Sequence, residues 1–210
     1  MSTKKMYVSN SEESIQLFQN PFMNALSKVH WSIPLLIFIP TISYLMFRGV
    51  VSQELLWMEV IGLYIFGVFV WTFTEYFLHR FVFHFHPTSE FGKKIHFIFH
   101  GIHHDYPCDR LRLVMPPSVS IPLATAFFFF FTLFFKGDNI FPFFGGFLTG
   151  YLVYDMFHYM IHHVQVKGKL WNALKTHHLK HHYVDDERGF GVSSKLWDLI
   201  IRSDFEEAKR

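Results

Sequence analysis

The chain has 210 residues, of which 50% are hydrophobic and 20% aromatic, and a formal net charge of only +2. That balance leaves one compact domain or a small membrane protein and excludes a large multidomain assembly. The single cysteine, Cys108, excludes an internal disulfide and suits a reducing compartment.

The first 30 residues begin with the polar run MSTKKMYVSNSEESIQ, which has no signal-peptide character. Phe18, Phe22 and Leu26 follow at helical spacing and predict a short helix on the membrane surface, ahead of His30 and Trp31. Four stretches, about 31–47, 55–74, 119–135 and 140–159, are then almost free of charge. Each is 17 to 20 residues long, the length a helix needs to cross ~30 Å of hydrocarbon. Soluble helices show one apolar stripe, whereas these are apolar all round, so they are predicted transmembrane helices. Pro34 and Pro40 in the first are tolerated in such a setting.

The second stretch runs on through Glu75, His79 and Arg80 without a breaker as far as Pro87, so its helix projects beyond the interface. Residues 88–117 form a segment outside the membrane that contains HFIFHGIHHD and ends at Pro116 and Pro117. In the third helix the run Phe127 to Phe131 reads as lipid-facing or packing surface, and Lys136-Gly137-Asp138-Asn139 is a tight turn. The fourth opens with Gly146-x-x-x-Gly150, a spacing that lets another helix approach closely. It also runs past the interface, through Asp155 and His158 to His162 and His163, and residues 164–210 form a polar, basic cap. The domain reading is an interfacial segment over 1–30 and one membrane-embedded domain over 31–210. All but Arg48 and Lys136 of the 19 Lys and Arg fall on the side of both termini and the clustered histidines, which the positive-inside rule makes cytoplasmic.

The 15 histidines carry the chemistry. His100-x-x-His103-His104 and His178-x-x-His181-His182 are matched triplets, each trailing a pair, His79 with His84 and His158 with His162. A shift of 78 positions superposes His84, His100, His103 and His104 on His162, His178, His181 and His182, and leaves His79 one short of His158. This is the pattern of two copies of one metal-binding half-site. Positions i, i+3 and i+4 share a helix face, so each triplet is expected to present three imidazoles to one point. Ten converging imidazoles would repel one another if protonated and would each leave a lone pair if neutral; two cations resolve both difficulties.

Imidazole suits iron, zinc, copper and nickel, so ligand type does not choose among them. The donor set argues against a structural zinc finger and against calcium or magnesium, and differs from the Glu-rich sites of soluble di-iron bundles. O2 chemistry on a lipid is the natural use of an all-histidine dinuclear centre at a membrane surface.

The runs HRFVFH (79–84), HGIHH (100–104), YDMFHYMIHH (154–163) and HLKHH (178–182) resemble the histidine boxes of the fatty acid hydroxylase superfamily. RLVMPP (112–117) and GFGVSSKLWD (189–198) are similar to its fatty acid 2-hydroxylase branch. The resemblance implies an all-α fold of four transmembrane helices in two hairpins capped by cytoplasmic helices, and a dimetal centre with iron in the active enzyme. Its reaction would be oxygen insertion at C2 of a long acyl chain, as free acid or in a ceramide or other sphingolipid. Carried over by position, the ligands are His79, His84, His100, His103, His104, His158, His162, His178, His181 and His182. Zinc is able to occupy the same nitrogens in purified protein.

Around them, His96, His163 and His177 are candidates for the surroundings of the ligands, and Glu75 and Asp155 are each expected to fix a histidine tautomer in their own half. His86 reads as a capping or surface residue and His30 as an ordinary interfacial histidine. Arg110 and Arg112 are candidates for meeting a lipid carboxylate or phosphate, or for interfacial anchoring. Many members carry a cytochrome b5 domain, for which the first 30 residues leave no room. Electrons are therefore expected from a separate cytochrome b5 or ferredoxin with its reductase, docking on the basic face; nucleic acid is not an expected partner. The location follows the host: endoplasmic reticulum in a eukaryote, inner membrane in a bacterium. The competing readings are a sterol or carotenoid oxidase or desaturase with similar boxes, and a zinc-holding membrane protein without redox activity.

Overall fold

A computed structural model describes residues 6–205, among which every regular element is a helix and no strand occurs. The outer ends of the interfacial segment and of the basic cap, residues 1–5 and 206–210, lie outside the described residues. The short helix α1 (Pro21–Leu26) is capped by Asn20, whose side chain accepts from the N–H groups of Phe22 and Met23. Phe22, Met23 and Leu26 are all exposed, as an interfacial helix requires.

Among the described residues, three helices are long and apolar enough to cross a membrane: α2 (Ser32–Val50), α3 (Trp57–Phe77, continuing to Phe83) and α7 (Ile140–His163, preceded by a 3-10 turn from Gly137). The third predicted span is shorter than expected. Its helix, α6, covers Pro117–Phe131, 15 residues or about 22 Å. It stops because the chain tightens into three-residue turns, with Leu133 N–H to Phe130 O and Phe134 N–H to Phe131 O, while the Thr132 hydroxyl takes the Phe129 carbonyl. Pro40 and Pro122 sit inside α2 and α6. Both hairpin loops lie at one end, since Arg48 is 3.8 Å from Asp138, and every clustered histidine lies toward the other.

Helix α7 is the centre of the bundle; Phe143, Phe147, Leu148 and Ile161 are almost fully buried on it. Helix α3 lies against it at backbone distance, and two glycines permit this. A Cβ on Gly146 would sit 1.9 Å from the Tyr64 carbonyl oxygen, and one on Gly67 would sit 2.0 Å from that of Phe143. The obstacle is helix backbone rather than a side-chain tip, so Gly146→Val is expected to cost at least the upper end of the ~1–3 kcal/mol typical of overpacking. Thermal denaturation of the detergent-solubilised protein checks this; an unchanged midpoint contradicts the packing. On the far face of α3, Ile61, Ile65, Phe69 and Phe73 are exposed, a stripe suited to lipid.

The cap contains α4 (Glu90–His96), α5 (Ile102–Asp105), α8 (Lys169–Tyr183) and α9 (Leu196–Ile201). The N-terminal segment ties it together: Val8 and Ser9 donate to the Asp105 carbonyl. Buried Arg112 binds Asp109 at 2.9 Å and the Ile15 carbonyl at 2.6 Å, so it serves the cap and is closed to a ligand. Arg110 pairs with Glu12 at 2.8 Å on the surface. Trp197 of α9 donates to Thr72 and packs edge-on against Phe73, which fastens the end of the cap to α3.

Candidate metal centre

The one-residue mismatch in the histidine repeat has a structural cause. Beyond Phe77 the second span passes into a π-helical turn, Leu78–Phe83, closed by the His84 N–H on the His79 carbonyl at 3.1 Å. A π turn inserts one residue while keeping its ends on one face. His79 and His84, five apart, therefore occupy the places that His158 and His162, four apart, occupy on the ordinary α-helix of α7. A second π turn, Phe97–Gly101, leads into α5 and carries His100.

The ten histidines singled out by the repeat come together in two groups of five. One group is His79, His84, His100, His104 and His181; the other is His103, His158, His162, His178 and His182. Within each group the potential ligand atoms all lie within 4.8 Å of one another. Neither triplet converges on one point, which corrects the sequence expectation. Positions i and i+4 of a helix differ by about 40°, but i+3 is turned about 100° from i+4. His100 and His104 therefore face one group while His103 faces the other, and His178 and His182 are separated from His181 in the same way. Each half of the repeat thus gives four imidazoles to its own group and lends its middle histidine across. His104 and His182, equivalent in the repeat, stack between the groups with ring centroids 4.3 Å apart.

The chemistry of these nitrogens fits metal ions. The Nε2 atoms meet in pairs: His79 with His100 at 3.1 Å, His104 with His100 at 3.0 Å, His181 with His84 at 3.0 Å, His158 with His103 at 2.8 Å and His182 with His178 at 3.1 Å. Burial first, and then the neighbouring imidazoles, holds His84, His100, His103, His104, His178 and His182 far below the ordinary histidine value. Burial likewise brings His181 down to about 4. These rings are neutral near pH 7. His181 Nδ1 donates to the Arg188 carbonyl at 2.8 Å and His79 Nδ1 donates to the Phe190 carbonyl, so each has only a lone pair at Nε2. The buried Nε2 of His162 has no hydrogen-bond partner among the described residues. Inward lone pairs at this spacing are what a cation with ~2.0–2.1 Å metal–nitrogen bonds satisfies.

Glu75 and Asp155 do not touch a histidine, contrary to expectation. Glu75 accepts from the N–H groups of Val192 and Ser193, at 2.7 and 2.8 Å, and from the Ser193 hydroxyl. Asp155 accepts from the Met115 N–H at 3.1 Å and the Tyr151 hydroxyl at 3.2 Å. The oxygens of each acid are already taken by these N–H and hydroxyl donors, so nearness to a histidine along the helix does not become a hydrogen bond. Each acid instead fastens a cap segment, GFGVSSKLWD or RLVMPP, to a membrane helix.

Of the other histidines, His177 lies buried between Asp198 (Nε2–Oδ2 3.1 Å) and Asp204 (Nδ1–Oδ1 3.2 Å), outside both groups. His96 packs edge-on to Phe85 and His163 against Tyr159, also outside them. His30 bonds Ser32 and His86 lines a surface groove beside Arg80 and His84. Sequence reasoning missed the carbonyls of Arg188 and Phe190 and the carboxylate of Asp198. Burial pushes that carboxyl up, but hydrogen bonds from His177, Gly191 and Ser203 outweigh it and hold it below the usual carboxylate range. The Gly-x-Gly within GFGVSSKLWD was the available signal.

A helical scaffold with membrane-length apolar helices that gathers ten imidazoles into two groups able to hold metal ions defines a class of histidine-rich membrane proteins. Residues 64–203 match the family profile described as fatty acid hydroxylase. The chain is 37% identical over 192 residues to the dihydroceramide fatty acyl 2-hydroxylase FAH1 of Arabidopsis thaliana, covering 91% of this chain and 80% of that one. It is 37% identical over 211 residues to the fatty acid 2-hydroxylase of Mus musculus, covering 90% of this chain and 56% of the mouse protein. A solved structure of full-length scs7p, with only its hydroxylase domain visible, matches with a TM-score of 0.83 and 36% identity over 90% of this chain and 71% of that one. The chain belongs to the fatty acid hydroxylase family.

Proposed function

We propose that the chain is a membrane-bound dimetal monooxygenase that hydroxylates C2 of long-chain fatty acyl groups, as free acid or within a ceramide or other sphingolipid. The observation that carries this reading is the pair of five-imidazole groups in a chain similar over most of its length to 2-hydroxylases. The ten grouped histidines are the proposed ligands, with iron in the active enzyme and zinc able to occupy the same nitrogens. Bound there, a pair of iron ions would supply O2 activation and the oxidising capacity for inserting one oxygen atom into a C–H bond.

The chain's own contribution is position and exclusion of water. The cap buries His79, His100, His103, His158, His178, His181 and His182 against bulk solvent. Between α3, α6 and α7 lies a small, largely apolar cavity of about 20 Å³, lined by Trp71, Met115, Ser120, Leu123, Phe127 and Tyr151, which an acyl chain would enter only by displacing these side chains. Alignment of C2 alone with the reacting centre gives regioselectivity.

Helix α6 with residues 132–135 is the proposed fourth span; Phe129, Phe130, Leu133 and Phe134 on it are exposed and apolar. The termini and the histidine face are proposed to be cytoplasmic, in the endoplasmic reticulum or the bacterial inner membrane according to host. Residues 31–210 act as one domain behind the interfacial segment. Electrons are proposed to come from a separate acidic cytochrome b5 or ferredoxin, meeting exposed Lys93, Lys94, Lys167, Lys169 and Lys180. Turnover with a purified donor is then expected to fall as ionic strength rises, and a rate independent of salt contradicts this docking.

Expression in a host that lacks 2-hydroxy lipids, followed by lipid analysis, tests the reaction. New 2-hydroxy acyl chains are the expected product. A new double bond or an oxidised sterol or carotenoid overturns the assignment, and iron-loaded protein that consumes no O2 with donor and lipid favours a zinc-holding role.

A further inference from the structure

The two histidine groups are alike in ligands and unlike in what stands behind them. In the first group, the Nδ1 atoms of His79 and His181 donate to the carbonyls of Phe190 and Arg188, on one loop. That loop is held from two sides. Asp198 takes the Phe190 N–H on Oδ1 at 3.0 Å and the Gly191 N–H on Oδ2 at 2.7 Å, and Glu75 takes the next two N–H groups. Asp198 is itself fixed by the Ser203 hydroxyl at 2.8 Å and by His177 Nε2 at 3.1 Å, and it is fully buried. The loop has no slack: Gly189 has φ +73°, and a Cβ on Gly191 would meet the Ser194 carbonyl oxygen at 2.0 Å. In the second group, the buried Nδ1 atoms of His178 and His182 have no hydrogen-bond partner among the described residues.

We infer that Asp198 is a positioning residue for the first group alone: by clamping the 188–193 loop it fixes the inward-facing Nε2 tautomer of His79 and His181. The two metal sites are therefore unequal, the first preorganised and the second looser. This rests on the reading that both groups bind metal. An imidazole whose far nitrogen donates to a fixed carbonyl arrives with its ligand nitrogen bare and aimed, and losing such support typically lowers metal affinity ~10–100-fold.

The test is zinc release from the purified full-length holoprotein into a graded series of chelators, with zinc counted per chain. Wild type is expected to lose its ions in two phases, the tighter of which His181→Ala removes. Asp198→Asn, which replaces the Oδ2 or Oδ1 acceptor with a donor, is expected to shift that phase about 10–100-fold toward weaker chelators and leave the other unchanged. The visible absorption of the cobalt(II)-loaded variant should change for one ion only. Should Asp198→Asn fail to fold, Ser203→Ala, which removes one of the bonds to Asp198, is expected to move the same phase by a smaller factor. Equal shifts of both phases, or no shift in folded variants that still bind two ions, overturn the inference. Wild-type protein that binds no zinc, cobalt or iron instead overturns the metal reading beneath it.

Discussion

Replacing His181 with alanine lowers the metal content from about two ions per chain to about one, and the ion lost is the one held by His79, His84, His100 and His104. The expectation follows from the crossing of the middle histidines, because His181 Nε2 lies 3.0 Å from that of His84 although its own helix serves the other group. Turnover should fall by more than the ~10–100-fold typical of losing a supporting residue, since a direct ligand goes. Double variants decide between crossing and convergence, because residues on one site are not additive whereas independent sites are. His181→Ala with His79→Ala should still bind about one ion; His181→Ala with His178→Ala should bind none. If each triplet converged on one ion, the second pair would spare an ion and the first would not. His103→Ala is the mirror case and should empty the group built on α7 and α8.

Much of this arrangement was legible in the sequence, and the limits have physical causes. The repeat of 78 positions isolated the ten histidines that the structure gathers, because a half-site used twice must repeat its spacing. The extra residue between His79 and His84 was visible as a mismatch. Its meaning was not, since hydrophobic periodicity does not distinguish a π turn from an α turn over six residues. The triplets were read as faces because i, i+3 and i+4 do lie on one side of a helix; splitting them requires two targets side by side, which is tertiary information. The carboxylates were misassigned by proximity in sequence. Glu75 holds the N–H groups of Val192 and Ser193, next to the Phe190 carbonyl that His79 Nδ1 meets, rather than a histidine itself. The predicted end of α6 lies four residues beyond the observed one because Thr132–Phe135 is as apolar as the helix before it, and nothing in composition records where the turns tighten.

Removing the metals is expected to loosen the cap while sparing the membrane helices. The reason lies in what holds α5 and α8. Helix α5 has four residues, too few to be stable alone, and α8 exposes Leu170, Asn172, Ala173 and Thr176 while directing His178, His181 and His182 inward. Its apolar anchorage is slight: Trp171 packs on Phe157 of α7 and Leu179 joins the core. The spans need no such help, since α3 and α7 interlock through Gly67 and Gly146 and carry a continuous apolar core. Binding to the folded state alone adds about 4 kcal/mol per site at a free metal concentration 1,000 times Kd, and chelation withdraws it. Trypsin should then cut chelated protein at Lys93, Lys94, Lys167, Lys169 and Lys180 much faster than holoprotein. Helical circular dichroism should fall only by the share of the cap, and adding zinc should restore protection. Chelated protein that resists trypsin as the holoprotein does would mean that the cap is held by its own contacts, with the imidazole groups preformed and the metals adding nothing to the fold.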